Sequence, residues 1–209
     1  MALVLYHVPG LVSSVCVHAA VELELSAEQL IVETLEMKDL HSDDYLRTNP
    51  HGTVPCLKLP SGQVMLESSA ILIYLLELFD RGDKLQPAVG DPSRGRYLYL
   101  LHYALCTVYP LLAPLALQHH KPAAEQDEAM VARNADKFTS VVGPLLAAAL
   151  GEQDFMMGSD ISGVDCAMGK GLYVASRLGL LLLDPFPKLE AYAKRLFKRK
   201  AFKEAYGQD

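Results

Sequence analysis

Serine hydroxyls stand at two places where a strand is predicted to give way to a helix. Ser13 and Ser14 follow a Pro-Gly turn after a short apolar run, and Ser68 follows Glu67 at the start of another helical stretch. The N-terminus of a helix carries unpaired N–H groups and positive potential, so it suits an anion. A hydroxyl there can stabilise the same anion by donating a hydrogen bond. The sequence therefore predicts two anion-stabilising positions, one near Ser13 and one at Ser68.

Short apolar runs and turn residues predict the elements that position these hydroxyls. The β-prone runs lie at 3–6, 30–35, 55–59 and 63–66. Helical stretches begin near Ser13, near His41 and at Ser68, and the last of these runs to about Phe79. The predicted order of the first half is therefore β-α-β-α-β-β-α.

The composition changes after Phe79. Gly, Pro and charged residues dominate 81–92, which is typical of a linker. Beyond it only helical patterns follow, at 93–118, 126–150, 164–178 and 187–205. We therefore expect one domain over 1–80, a linker over 81–92 and an all-helical domain over 93–209.

Charge, cysteine usage and hydropathy exclude several function classes. The formal net charge of −6 argues against nucleic-acid binding, which needs clustered Lys and Arg. The four cysteines are far apart and form neither a zinc pattern nor a disulfide framework, so no metal site is expected and the thiols are expected to be reduced. The N-terminal apolar run lacks the basic start of a signal peptide, and the apolar runs at 145–150 and 178–183 are too short to span a membrane. We expect a cytoplasmic protein with no membrane segment.

Three motifs occur in order along the chain. They are Val54-Pro55 within segment 49–55, Glu67-Ser68 directly after the predicted hairpin, and Ser162-Gly163-Val164-Asp165 in the helical half. Together they resemble the cytosolic glutathione S-transferase family, and the resemblance covers essentially the whole chain. It implies a thioredoxin-like N-terminal domain (βαβαββα) followed by an all-α C-terminal helical bundle domain. It also implies a cytoplasmic, homodimeric detoxification enzyme that conjugates glutathione, its co-substrate, to small hydrophobic electrophiles.

The resemblance assigns roles to the first two motifs. Pro55 would be cis, and the turn would expose the N–H and C=O of Val54 to the cysteinyl part of glutathione, as an added strand would. Ser68 would bind the γ-glutamyl carboxylate, and Glu67 would accept from the γ-glutamyl ammonium group. The alternatives are a trans proline that begins an edge strand and simple helix capping by Ser68.

The remaining contacts to glutathione are assigned by position in variable loops. Lys38 and His41 stand in the segment that, by resemblance, supplies a cation to the glycyl carboxylate. Thr53 stands where some relatives place a glutamine that contacts the glutathione backbone, and His51 is one residue from a histidine of others. An exposed loop histidine without a role is the alternative for His41 and His51.

The activating hydroxyl is assigned to Ser13. By resemblance, the active serine lies three residues before a cysteine of the first helix, and Cys16 marks that place. Ser14 is the alternative, because a shift of one residue in the turn would exchange the two serines. Cys16 itself is interpreted as a buried apolar residue, with thiol–disulfide exchange as its alternative role. The resemblance places the second-substrate site between the two halves, with Tyr109 as our candidate among the residues Val12, Tyr103, Thr107 and Tyr109.

The third motif has a structural interpretation. Ser162 and Asp165 form the pattern of a capping box, in which each end residue satisfies backbone groups of the first helical turn. Replacing Asp165 should therefore lower stability rather than remove chemistry.

Two rival functions stay open from the sequence. One is a different glutathione-dependent enzyme, such as an isomerase, peroxidase or dehalogenase; Ser13-Ser14-Val15-Cys16 is a loose echo of the Ser-Ser-Cys motif of isomerase relatives. The other is a non-catalytic module that binds glutathione or another ligand, because one fold hosts many functions.

Overall fold

The computed structural model describes residues 2–178 and 182–208. Its contacts divide the chain into two compact units, Met1–Pro87 with Arg199–Asp209, and Ala88–Lys198. The first unit contains β1 (Leu3–His7), α1 (Ser14–Glu22), β2 (Leu30–Thr34), a 3₁₀ helix (Met37–His41), α2 (Asp43–Thr48), β3 (Cys56–Lys58), β4 (Val64–Met65), α3 (Ser68–Phe79) and, from the end of the chain, α10 (Lys200–Tyr206). The predicted order of this half is confirmed.

The four strands form one sheet in the order β2-β1-β3-β4. β2 is parallel to β1 across the α1 crossover, whereas β3 and β4 form an antiparallel hairpin beside β1. Along β1, Leu3, Leu5 and His7 are buried while the residues between them are half-buried, which is the alternation of a strand. His7 therefore occupies a core-facing position.

Helices α1 and α3 pack against each other, and α10 packs on α1. On α3, Ile71, Leu72, Leu75 and Leu76 are buried and form the stripe expected of a helix packed on one face. In α10 the buried Phe202 contacts His18 of α1 edge to face, with 5.6 Å between ring centroids. The sequence led us to expect residues 199–209 in the helical domain over 93–209. This contact explains why they belong to the first unit instead.

The second unit is helical throughout the residues that the structure describes. It contains α4 (Arg94–Tyr103), α5 (Tyr109–His119), α6 (Glu128–Lys137), α7 (Gly143–Leu150), α8 (Gly163–Arg177) and α9 (Pro187–Phe197), with π-helical segments at Ala104–Val108 and Phe138–Val142. The first π segment joins α4 to α5, and Pro110 lies in the first turn of α5. The thioredoxin-like half and the helical half are both as predicted.

The run Arg94–His119 passes a test of length and composition for crossing a membrane. It has 26 residues and a mean hydropathy of 1.6 in its most apolar window, of which 39% is buried inside the protein. One such helix is weak evidence, since the core helix of a soluble protein has the same properties. The lack of a membrane segment stays an expectation.

Candidate glutathione site

The sheet topology gathers three predicted segments at one edge of the first unit. β1 ends at His7 and leads into the turn that carries Ser13; its Tyr6 pairs with Cys56, the first residue of β3. β4 ends at Met65 beside Leu57, so the junction to α3 lies at the same edge. The serine turn, the Val54-Pro55 turn and the start of α3 are therefore neighbours, although they are far apart in sequence.

The Val54–Pro55 peptide bond is cis. The preceding Thr53 carbonyl accepts hydrogen bonds from the Tyr45 hydroxyl at 2.6 Å and from Asn49 Nδ2 at 2.7 Å. Burial raises the pKa of Tyr45 to about 12, so its hydroxyl keeps the proton that it donates. Because the C=O and N–H of a trans peptide point in opposite directions, the Val54 N–H is directed away from these two donors. Among residues 2–178 and 182–208, no hydrogen-bond partner contacts the N–H or C=O of Val54.

The backbone changes direction sharply at the start of α3. Glu67 has φ 71° and ψ 110°, an uncommon conformation for a residue with a side chain. Its side chain is exposed and makes no capping hydrogen bond to the helix. The N-cap position is occupied by Glu67, and Ser68 is the first helical residue, so the alternative of capping by Ser68 is wrong. The Ser68 side chain is half-buried. Such strained positions cost about 1–3 kcal/mol and cluster at binding sites.

The loop candidates differ in how closely they approach this edge. The His41 ring lies close to Gly52. A Cβ added to Gly52 would meet Leu40 O at 2.9 Å and His41 Nδ1 at 3.4 Å. Gly52 also has φ +60°, so the close approach and the backbone both require glycine. His51 is exposed, and its backbone N–H donates to Asn49 Oδ1.

Lys38 and Thr53 are held in different ways. The Lys38 ammonium is 2.7 Å from Glu36 Oε2, and both side chains are exposed. The Thr53 side chain is exposed too, whereas its carbonyl is fixed from within. These interactions within the protein do not indicate whether Lys38 or Thr53 contacts a ligand.

Ser13 is fully buried and its hydroxyl makes hydrogen bonds within the protein. Oγ lies 2.9 Å from His7 Nδ1 and 3.2 Å from the Val8 N–H, which donates to it; the Val8 carbonyl is 3.3 Å away. Ser14 is also buried, and its Oγ accepts from the Gly10 N–H at 3.0 Å. Neither serine side chain caps α1.

Cys16 is buried as expected. Burial raises the pKa of its thiol far above the ordinary range, and Sγ donates to the Ser68 carbonyl at 3.6 Å. A thiol with a raised pKa is a poor nucleophile, so this environment supports the apolar packing role. The contact also ties α1 to the first turn of α3.

Tyr109 begins α5 in the second unit and is half-buried. The Lys170 ammonium lies 5.4 Å from the centre of its ring, and burial raises the pKa of the Tyr109 hydroxyl.

Comparison with known proteins shows the family and the fold of the chain. Family models of the glutathione S-transferase N-terminal and C-terminal domains match residues 12–78 and 108–200. Glutathione S-transferase hmp2 of Hypomyces subiculosus is 32% identical over 149 residues, which are 69% of either chain. The chain belongs to the glutathione S-transferase family. It is thus a member of a transferase family. Maleylacetoacetate isomerase of Pseudomonas aeruginosa is a further relative, 30% identical over 78% of this chain and 74% of its own.

Solved glutathione S-transferase structures share the fold over nearly the whole chain. A sphingomonad glutathione S-transferase complexed with glutathione has a TM-score of 0.77 at 25% identity, covering 98% of this chain and 97% of its own. A glutathione transferase of Methylococcus capsulatus str. Bath has a TM-score of 0.76 at 26% identity over the same shares.

One residue of this glutathione S-transferase was missed from the sequence. His7 is buried, and its Nδ1 lies 2.9 Å from Ser13 Oγ. Burial lowers its pKa to about 4, although the Ala205 backbone of α10 acts in the opposite direction, so the imidazole is neutral near pH 7. The alternation of β1, which places His7 on the same face as Leu5, was the available signal for its burial.

Proposed function

We propose that this protein binds glutathione at the edge formed by the Val54-Pro55 turn and the start of α3, and conjugates its thiolate to small hydrophobic electrophiles. The observation that carries the proposal is the N–H of Val54 next to a cis proline, which points away from the donors to the Thr53 carbonyl and has no hydrogen-bond partner among the described residues. An extended cysteinyl segment could pair with it in the way a strand is added to a sheet edge. The glutathione bound in the sphingomonad relative supports glutathione as the co-substrate.

The γ-glutamyl end would bind at the first turn of α3. The carboxylate would accept from the Ser68 hydroxyl and from the free N–H groups of this helix, whose positive potential favours an anion. The ammonium group would donate to the exposed Glu67 carboxylate. The positive φ of Glu67 would direct this side chain away from the helix it precedes, which accounts for the strain.

The glycyl carboxylate would lie towards the 3₁₀ helix and the loop before Val54. His41 is our first candidate because its ring contacts Gly52 in that loop. Lys38, Thr53 and His51 stay proposed contacts, since all three side chains are exposed and could turn towards a ligand.

Ser13 is the proposed activating hydroxyl, with Ser14 as its alternative. A free thiol has a pKa of about 8.5, so only about 3% is ionised at pH 7. Lowering that pKa by two units needs roughly 2.7 kcal/mol and raises the thiolate fraction about 25-fold. The accompanying loss of nucleophilicity reduces the gain in rate to about 3-fold. Positioning of the electrophile would therefore supply most of the catalysis, with Tyr109 as a proposed contact.

A role in detoxification, a cytoplasmic location and a homodimer complete the proposal by family membership. The isomerase relative favours a second candidate, a glutathione-dependent isomerase. The inward hydroxyl of Ser13 favours a third, glutathione binding without turnover.

The test is a thiol titration with purified protein. Glutathione is added to the wild type and to Ser13→Ala, and the ultraviolet absorbance of the thiolate is followed against pH. Binding is measured in parallel by calorimetry, with S-methylglutathione as the thiol-free control. We expect binding in both proteins, with a bound thiol pKa below about 8.5 in the wild type and a higher one in the variant. Binding without any shift of the thiol pKa in the wild type would leave the binding module as the function.

A further inference from the structure

The hydroxyl of Ser13 has a defined direction in this structure. It has one proton to donate, and its nearest acceptor is His7 Nδ1 at 2.9 Å, closer than the Val8 carbonyl at 3.3 Å. The Val8 N–H donates to the same Oγ. The proton and one lone pair of Ser13 are therefore used within the protein, and the residue is fully buried.

The direction of this hydrogen bond depends on the tautomer of His7. Burial lowers the pKa of His7, and the Ala205 backbone of α10 acts in the opposite direction, as a carbonyl does when it accepts from a ring N–H. In a neutral imidazole one nitrogen is a donor and the other an acceptor. If Nε2 donates to Ala205, Nδ1 can only accept, and the Ser13 proton is the one it accepts.

We propose that His7 is a positioning residue whose Nδ1 accepts from Ser13 and holds the hydroxyl inward, away from a bound thiolate. The inference rests on the proposed function, in which the same hydroxyl activates glutathione. The sulfur then competes for the Ser13 proton with two acceptors of the protein, His7 Nδ1 and the more distant Val8 carbonyl. Removing the acceptor at Nδ1 makes the hydroxyl a better donor to the thiolate.

Two substitutions separate this role from simple packing. His7→Gln places an amide near the former Nε2, but it lacks an acceptor beside Ser13. His7→Asn places a carbonyl oxygen near the former Nδ1 and can still accept from Ser13. Both introduce an uncharged amide into the same buried slot, so each is a control for the other.

The first measurement needs no ligand. Nitrogen chemical shifts of the imidazole should show a protonated Nε2 and an unprotonated, hydrogen-bonded Nδ1 in the wild type. Ser13→Ala should move the Nδ1 signal and leave Nε2 in place. A protonated Nδ1, or an Nδ1 signal unaffected by Ser13→Ala, would overturn the inference.

The second measurement is the pKa of the bound glutathione thiol in a double-mutant cycle. His7→Gln should lower it by about 0.5–1 unit, the range of one net neutral hydrogen bond, and His7→Asn should leave it near the wild-type value. Ser13→Ala should have a larger effect in the His7→Gln background than in the wild type. Additive effects, or equal effects of His7→Gln and His7→Asn, would overturn it.

The two proposals fail in different ways. If glutathione does not bind, the proposed function fails, and the chemical shifts still decide the orientation of Ser13. If glutathione binds and His7→Gln leaves the thiol pKa unchanged, the proposed function survives and the role of His7 is rejected. Thermal unfolding of each variant checks that the fold is intact.

Discussion

Glu22 at the end of α1 and Arg199 before α10 form a two-point ion pair, although 177 positions separate them. Arg199 Nε is 2.6 Å from Glu22 Oε1, and Nη2 is 2.7 Å from Oε2. The Lys84 ammonium donates to the Glu22 carbonyl, and His18 Nε2 lies 3.6 Å from the same carboxylate. This cluster holds the end of the chain on the first unit, next to the Phe202 contact.

Arg199→Met should loosen this attachment. Burial alone would raise the pKa of Glu22, but Arg199 and His18 lower it to about 2. Because Arg199 is 34% exposed, we expect a loss of about 2 kcal/mol in unfolding free energy rather than the full value for a buried pair. The lowered pKa of Glu22 contributes stability that is present above about 4.5, so the difference from wild type should shrink as the pH falls towards 2.

The matched control is Lys200→Met. Lys200 is 87% exposed and its ion pair with Glu204 lies on the surface, so urea unfolding should show a change below about 0.5 kcal/mol. Equal losses in both variants, or a loss in Arg199→Met that does not depend on pH, would contradict the assignment.

His7 should make stability depend on pH in a second, higher window. Burial depresses the pKa of the folded imidazole from 6.5 to about 4, so the unfolded chain binds more protons between these values. Its contribution to stability is complete above 6.5 and falls as the pH drops through 4, by up to about 3 kcal/mol. His7→Phe should flatten urea-unfolding free energies in this window, and a parallel pH profile in the variant would refute the prediction.

Asp165→Ala should destabilise the second unit. Oδ2 accepts from the N–H and hydroxyl of Ser162, and Oδ1 accepts from the Met156 N–H at 2.9 Å and the Tyr192 hydroxyl at 2.6 Å. The substitution leaves these buried donors without an acceptor, so we expect a loss of about 3–5 kcal/mol, seen as a drop of roughly 10 °C in melting temperature.

Tyr192→Phe is the graded control for Asp165. It removes one of the four donors and should cost about 1 kcal/mol. Glutathione affinity in the folded fraction should be the same in both variants, and an unchanged melting temperature for Asp165→Ala would exclude a structural role for the capping box.

Ser68→Ala should weaken glutathione binding without unfolding the protein. The hydroxyl is half-buried at the first turn of α3 and is not a cap, so its loss removes one hydrogen bond to a charged group. We expect the dissociation constant, measured by calorimetry, to rise about 10-fold or more. Ser61→Ala, an exposed serine in the β3–β4 turn, should bind as the wild type does; equal affinities for all three proteins would remove Ser68 from the site.

Thiol labelling should distinguish the four cysteines. Cys16, Cys56 and Cys166 are buried, and Cys106 is exposed in the first π segment. Burial also raises the pKa of Cys56 to about 11, which lowers its thiolate fraction further. A maleimide should therefore label one site rapidly in the native protein and none in Cys106→Ser, as counted by mass spectrometry. Rapid labelling of Cys16 would contradict this prediction and favour thiol–disulfide exchange at Cys16.

The local patterns of the sequence determine much of the architecture. Alternation along β1, the Pro-Gly turns and the helical stripe of α3 specify elements through contacts between near neighbours, so their order could be predicted. The capping box of Ser162 and Asp165 is equally local, because its partners are three residues apart. The cis peptide at Pro55 followed from family resemblance, whereas the sequence alone allowed either isomer.

Tertiary structure decides the surroundings of Ser13 and the place of the chain's end. The sequence puts Ser13 at the start of a helix, but the direction of its hydroxyl depends on His7, which the alternation of β1 turns inward. The pKa of His7 depends in turn on burial and on the Ala205 backbone, almost 200 positions away. Likewise the helical pattern near Arg199 carries no information on which surface it covers. Such pairings depend on which faces the packed elements bring together, and no local pattern in the chain encodes that choice.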